Sequence, residues 1–470
     1  MKWIMIIFIV GTIACQAKTI YVATNGLNSR TGEDYWTNAV QTISNGVSKA
    51  ASGDTVLISN GTYAVSHVVI NDITVRGLNG YSNTFCDGGG SAGVFYMYGT
   101  TTLLEGLTLT NGYLGEGGGI RIDGGTMRNC AIVNCTADDG AGVSLHAGVI
   151  SNCVIAKNVC ATGQGGGVHI SAVGDCRVAQ CLINGNSCSG GGGSGYGAGV
   201  YMVGGVVTGC VIKGNSSTQY GIVAMNGAAG NNAVVQNCTI SENSAVVNAG
   251  IFVLNAGVIQ QCMINNNTGS AATVYFYQNG NHRIYDSWIL SNSASDWAGL
   301  YINSSCTNVE VRNCLIAYNS STWAAVRLMS PGLNSLANCT IVSNVCPNAG
   351  GIYFASGSAG TATNCIVYNN VGVNYAIFTG GSVTGSMSYC CTTPLPDYGS
   401  NNTTNPPLFV NKDTGDFRLA SDSPCINTGT NMGWMAGATD LDARPRLDHF
   451  RRQVDMGAYE FLSSGTIFTF

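Results

Sequence analysis

A seven-residue cassette that recurs along most of the chain limits its fold more than any other feature. It is clearest at Asn237-Cys-Thr-Ile-Ser-Glu-Asn243. The same station returns at Cys130, Cys153, Cys181, Cys210, Cys238, Cys262, Ser287, Cys314, Cys339 and Cys365, in steps of 23 to 29 residues. Two residues after each station stands Ile, or Val367 in the last. Five residues after nine of the ten stands Asn, from Asn158 to Asn370, with Cys135 in the odd place. Self-similarity at this period signals stacked supersecondary units rather than one globular core.

Cys-x-Ile has the two-residue alternation of a strand, so both side chains face one side, and the Asn that follows is expected to turn the chain through a left-handed conformation. A second strand recurs as Gly119-Ile-Arg-Ile, Gly142-Val-Ser-Leu, Gly167-Val-His-Ile, Gly199-Val-Tyr-Met, Gly250-Ile-Phe-Val, Gly299-Leu-Tyr-Ile and Gly351-Ile-Tyr-Phe. Steps this short leave no room for crossover helices, and parallel connections are strongly right-handed. The expected fold is therefore all-β, a right-handed parallel β-helix of about 12 coils, with rungs about 4.8 Å apart and a length of about 55 to 60 Å.

Charged residues make up 9% of the chain, far below the ~25% of ordinary soluble domains, and Gly fills 65 of 470 positions. The net charge of −5 offers no basic stripe, which disfavours nucleic acid as a partner. Residues 1–17 read as a secretory signal: Lys2, an apolar run from Trp3 to Ile13 too short to span a bilayer, then Cys15-Gln16-Ala17. Thr12-Ile-Ala-Cys15 also approaches a lipoprotein box, the alternative route to a surface. The expected location is extracellular or at a bacterial cell surface or outer membrane, with no membrane span in the mature chain. Of 20 cysteines, those on the ladder are expected to be buried thiols facing the same way, and Cys160 and Cys188, off the ladder, are the better candidates for a bridge.

The mature chain opens with the apolar strand Ile20-Tyr-Val22. Apolar residues at helical spacing from Ala39 to Ala51 predict a short helix that caps the first coil. Residues 18–103 form this cap and the first coils, residues 104–393 the repeats (with Leu107 at a cysteine-free station), residues 394–462 a C-terminal cap, and residues 463–470 a tail. Residues 411–460 carry fourteen charged side chains, against eighteen in residues 104–391. Asp440, Asp442, Arg444 and Asp455 in that segment read as pairs that tie a cap together.

Ile20-Tyr-Val-Ala-Thr-Asn25, Gly53-Asp-Thr-Val-Leu-Ile-Ser-Asn-Gly-Thr-Tyr63 and the Gly-Gly-Ile and Asn-Cys-x-Ile repeats resemble secreted bacterial right-handed β-helix proteins of the pectate-lyase-like superfamily. The repeats are also similar to those of polymorphic outer-membrane proteins. Pro407-Leu-Phe-Val-Asn411, Gly415-Asp-Phe-Arg-Leu419, Ser423-Pro-Cys-Ile-Asn427, Asp440-Leu-Asp-Ala-Arg-Pro-Arg446 and Val454-Asp-Met-Gly-Ala-Tyr-Glu460 resemble a choice-of-anchor module. The resemblance implies the fold and leaves activity open, because the superfamily spans lyases, hydrolases and adhesins.

Alternation predicts which side chains leave the rod. One outward column reads Arg121, Ser144, His169, Tyr201, Val223, Phe252, Tyr275, Tyr301, Arg327 and Tyr353, and the next Asp123, His146, Ser171, Val203, Met225, Leu254, Tyr277, Asn303, Met329 and Ala355. Tyr201, Phe252, Tyr275, Tyr301 and Tyr353 are candidate ligand-binding rings for successive sugars of a polymer. Ten of the eighteen charges of the coils fall between Glu105 and Arg177. There Arg121, His146 and His169 are candidate catalytic residues for a polysaccharide lyase, which needs a cation against the uronate carboxylate and a base beside it. Asp123, Asp138 and Asp139 are candidate ligands for Ca²⁺. No catalytic motif of the superfamily stands as an intact block. The sequence therefore favours a non-catalytic secreted or surface rod that binds polysaccharide or an extracellular matrix component, attached by a lipid or by the C-terminal module. A lyase or glycosidase and a structural adhesin are the alternatives.

Overall fold

The computed structural model describes residues 16–461, apart from 172–174, 191–194, 228–232, 279, 379–384 and 448–452. Most of the signal segment, with Cys15, and the tail after 461 lie outside the described residues.

Each turn of the chain lays down strands on successive flanks of a solenoid, here named D, C, A and B in the order the chain visits them. Residues Tyr113–Glu116, Ile120–Ile122, Thr126–Arg128 and Ala131–Val133 make one such turn. Stacking gives 15 strands on sheet A, 14 on B, 13 on C and 8 on D. All their pairings are parallel, whereas Phe409–Asn411 and Asp416–Leu419 form a separate antiparallel pair. The 13 strands of sheet C mark twelve rung steps, the number that the repeats imply.

The inward columns are superimposed as the spacing requires. Ile132, Ile155, Ile183, Ile212, Ile240 and Ile264 are each wholly buried, and each such side chain contributes about 1.5–3 kcal/mol. The backbone N–H of Cys181 reaches Sγ of Cys210 at 3.4 Å, that of Cys210 reaches Sγ of Cys238 at 3.4 Å, and that of Cys262 reaches Oγ of Ser287 at 3.1 Å. Ser287 thus fills the thiol's place. All 19 described cysteines are free and buried. Cys160 and Cys188 stand in register on neighbouring strands and remain unbridged.

The ladder asparagines do not turn the chain as expected. The residue before each does so, with Lys157, Glu242, Asn266, Ser291, Tyr318, Ser343 and Asn369 at φ of 54–60° or a glycine in their place. Freed from the corner, each Asn points inward. Asn243 donates from N and Nδ2 to Oδ1 of Asn267 at 3.1 and 2.9 Å, and from Nδ2 to the Ile212 carbonyl at 3.0 Å. The column runs from Asn158 to Asn370 and ends on Asn374, whose Oδ1 takes the last N–H at 3.2 Å. The paired glycines lie beside it: a Cβ on Gly142 would sit 2.5 Å from the Gly167 carbonyl and 2.8 Å from Nδ2 of Asn158.

At the N-terminal end the helix is shorter than the periodicity predicts, Ile43–Lys49, capped by Thr42 Oγ1 accepting from Asn45 N at 3.3 Å. Val40 is instead held in extended form, its N–H on the Tyr21 carbonyl at 2.9 Å, so edge pairing overrides helical spacing there.

The charged C-terminal segment folds back, but along flank B rather than only over the end of the rod. Phe417, Leu419, Cys425 and Met456 cover the outward faces of Leu315, Val342, Ile366 and Cys391. The corner amides receive it: Asn338 Nδ2 donates to the Asp455 carbonyl at 3.1 Å, and Asn364 exchanges bonds with Thr430 at 2.7 and 2.8 Å. Asp440 accepts from the N–H groups of Asp442, Arg444 and Glu460, and the buried Arg446 pairs with Glu460 at 2.7 Å. These carboxylates tie the strap together.

Candidate functional site

The outward residues of sheet C align, coil by coil, as Tyr96, Arg121, Ser144, His169, Tyr201, Ala224, Phe252, Tyr275, Tyr301, Arg327 and Tyr353. Ala224 takes the place expected for Val223, and Asn226 that expected for Met225, which is wholly buried. The coil holds one residue more than its neighbours after the glycine, with Ile222 beside Gly199, so aligning on glycine slips the column by one.

At the N-terminal end of this column Arg121, His146 and His169 come together with two residues that sequence reasoning missed, Glu116 and Tyr96. Arg121 donates to Glu116 at 2.9 Å and to Asp123 at 3.0 Å. His146 Nε2 lies 2.6 Å from Glu116 Oε1, which also accepts from Ser144 at 2.7 Å, and Tyr96 OH donates to Asp123 at 2.7 Å. Burial pushes the Glu116 carboxyl up, but Ser144, His146 and the Arg121 charge together hold it below its ordinary range. Asp123 is likewise held low, burial being outweighed by Arg121 and Tyr96. His169 lies against Tyr201 with ring centroids 5.2 Å apart, and burial pushes its pKa down.

Chemically, Arg121 is committed to two carboxylates and is no open cation for a uronate. Nor does the Ca²⁺ set assemble. Asp123 faces Arg121 and Tyr96 on flank C, Asp138 Oδ1 accepts from Thr162 at 2.6 Å, and Asp139 Oδ1 accepts from the N–H of Gln164 at 2.8 Å. Among the described residues no group of three or more His, Cys, Asp or Glu is placed to hold a metal. The sequence signal for Tyr96 was its place in Phe95-Tyr-Met97, the same apolar-x-apolar pattern. Glu116 carried no such signal, because it reaches the cluster from the end of the sheet D strand Tyr113–Glu116, on the neighbouring flank.

The five candidate rings do form a ladder, but most of it is closed. Tyr201, Phe252, Tyr275 and Tyr301 are each at most 8% exposed, and only Tyr353 is half-buried. Tyr275 stacks on Tyr301 at 4.6 Å, Trp297 covers Tyr301 at 4.7 Å, and Tyr196 and Tyr220 stack on Phe252 at 5.7 and 5.1 Å. The expectation of open ring faces for successive sugars is thus corrected. The ladder lacks a ring at Ala224, which is itself only 2% exposed. A notch of about 60 Å³ remains, walled by Tyr196, Tyr201 and Phe252 and lined by Gln164 and Asn226. Asn226 Nδ2 donates to Tyr201 OH at 2.9 Å, which fixes the amide beside the ring. A larger cleft of about 460 Å³ separates the strap from the rod, but its charged pair, Lys412 and Asp413, is mutually neutralised.

A four-flanked parallel solenoid with inward thiol and amide columns defines a class, the single-stranded right-handed β-helices. The family model described as "Right handed beta helix region" matches residues 117–269, 166–332 and 249–407. The chain belongs to that family. Among solved structures it is similar to an arginine-to-alanine variant of the PL6 family alginate lyase AlyGC, with 14% identity over 91% of this chain and 59% of that one, at a TM-score of 0.50. It is also similar to a mannuronic acid specific family 6 polysaccharide lyase from human gut microbiota, with 12% identity over 74% of this chain and 86% of that one, at 0.47. For the pectate lyase Pel9A the figures are 15%, 95%, 97% and 0.32. Identities this low bear on the fold alone. No curated protein matches the sequence.

Proposed function

We propose that this protein is an extracellular or surface rod of a bacterium that binds polysaccharide without cleaving it, at the Ala224 notch on flank C. The observation that carries the reading is the missing rung. Aromatic walls with a fixed amide between them suit the apolar face and hydroxyl edge of a sugar ring, and a notch of this size on a long flank admits one edge or substituent of a polymer unit. The neutralised Arg121 cluster supports binding over a lyase reaction, since it has no free cation to stabilise an enolate.

The test is binding of the mature chain to a panel of immobilised glycans, wild type against Ala224→Phe. Filling the rung is expected to weaken binding by at least about tenfold, or about 1.4 kcal/mol, in a protein whose circular dichroism shows the rod still folded, overpacking costing about 1–3 kcal/mol of stability. Unchanged binding by a folded Ala224→Phe protein overturns the proposal.

A further inference from the structure

The same column holds a cation set among aromatic rings, with no carboxylate beside it among the described residues. Arg121 is neutralised by Glu116 and Asp123, and Arg283 and Arg312 share Glu310. Arg327 has no carboxylate within ion-pair distance among the described residues, and its Nε is buried without a hydrogen-bond partner. Rings surround it: its guanidinium carbon lies 4.0 Å from the Trp297 ring centre, 5.4 Å from that of Tyr301 and 5.6 Å from that of Tyr353.

A half-buried guanidinium without a counter-ion is costly, and ring faces offset only part of that cost. The rings also fix the plane of the fork, which lowers the entropy lost when it pairs with an oxyanion. Arg327 stands four rungs beyond Ala224 in the column, about 19 Å by strand spacing. One extended polymer on flank C can therefore meet both positions.

From this we infer that Arg327 is an anion subsite, and that the ligand is a polysaccharide carrying carboxylate or sulfate groups along its chain. The inference rests on the binding role proposed for the Ala224 notch and goes beyond it in naming the ligand's charge. Arg327 pairs with the anionic substituent, and Trp297 and Tyr353 flank the sugar that bears it.

The experiment compares dextran, alginate and dextran sulfate as probes of the mature chain at low salt. Wild type is expected to bind at least one charged polymer about tenfold more tightly than dextran, with the difference shrinking as salt rises. Preference for alginate assigns the carboxylate, and preference for dextran sulfate assigns the sulfate. Arg327→Gln is expected to abolish the preference and leave dextran binding intact, Arg327→Lys to retain part of it, and Lys157→Gln, an exposed cation on another face, to leave it unchanged. Equal binding of all three polymers, or a preference that survives Arg327→Gln, overturns the subsite while the notch stands. Absence of binding to any of the three by a folded protein overturns the subsite, and if the wider glycan panel is also negative the notch falls with it.

Discussion

Nδ2 of Asn243 donates to Oδ1 of Asn267 at 2.9 Å, joining two coils through their interior. The same Oδ1 takes the backbone N–H of Asn243, so one carbonyl oxygen satisfies two buried donors of the coil before it. Nine such amides make a hydrogen-bonded column with both donors and acceptors used, the condition under which buried polar groups rigidify a core. Asn237, in the same cassette, has φ of 53° and makes a corner.

The two asparagines of one cassette should therefore respond differently to glycine. Asn237→Gly keeps the left-handed corner and is expected to change stability by less than about 0.5 kcal/mol. Asn243→Gly removes the oxygen that both Asn215 donors share, leaving the Asn215 N–H unpaired in the core, and takes the Nδ2 donor from the Ile212 carbonyl, for a loss of about 3 kcal/mol or more. Denaturant unfolding of both variants checks the contrast.

The covered rings should act on stability before they act on ligand. Tyr275 is 8% exposed and stacked on Tyr301 and Phe252. Tyr275→Ala is expected to cost about 3–5 kcal/mol, the range of a buried aromatic truncation, whereas Tyr353→Ala, at a half-buried ring, should cost less. Thermal melts alongside glycan binding separate the two roles.

Cleavage assays give a direct check on the Arg121 cluster. Pectate and alginate treated with the protein, with and without Ca²⁺, are expected to show no new unsaturated ends. Activity that disappears in His146→Ala and Arg121→Ala would move the assignment to a lyase. Glu116→Gln, which releases one side of Arg121, is expected to alter local stability and no turnover.

Acid should act on the rod in two windows. His169 and His282 are pushed down by burial from an ordinary value of 6.5, so the unfolded chain binds protons more readily than the folded one. Their contribution is complete above pH 6.5 and is lost as pH falls below it. Glu116 and Asp123 are held low, so their contribution is complete above 4.5 and 3.8 respectively and is lost as pH falls through the lower folded values. Glu460, which burial pushes up to about 8, acts in the opposite sense, so the histidine loss below 6.5 is set against its gain and melting temperatures from pH 8 to 3 should fall steeply only below 4.5, where Glu116 and Asp123 protonate.

The strap on flank B should detach without unwinding the coils. Asn364 has φ of 55°, and its side chain exchanges two bonds with Thr430. Asn364→Gly keeps the corner and removes those bonds. Limited proteolysis is expected to cut residues 404–461 sooner in this variant, with circular dichroism of the rod unchanged.

What the sequence by itself determined was the solenoid and its interior. A period of 23 to 29 residues combined with Cys-x-Ile alternation leaves only stacked parallel rungs, and columns that must stack can be read from one dimension. It marked the charged C-terminal segment as distinct, though not the flank on which it lies, which Asn313, Asn338 and Asn364 decide by presenting corner amides in line. The outer surface belonged to the tertiary structure. Segments that enter flank C, of unequal length from coil to coil, bring Tyr196, Tyr220 and Trp297 over the ring ladder, and the end of a sheet D strand brings Glu116 beside His146 of the next coil, contacts that no local pattern encodes. Alternation gives the direction in which a side chain leaves the backbone, but what covers it, and so whether a ligand can reach it, depends on chain from other turns.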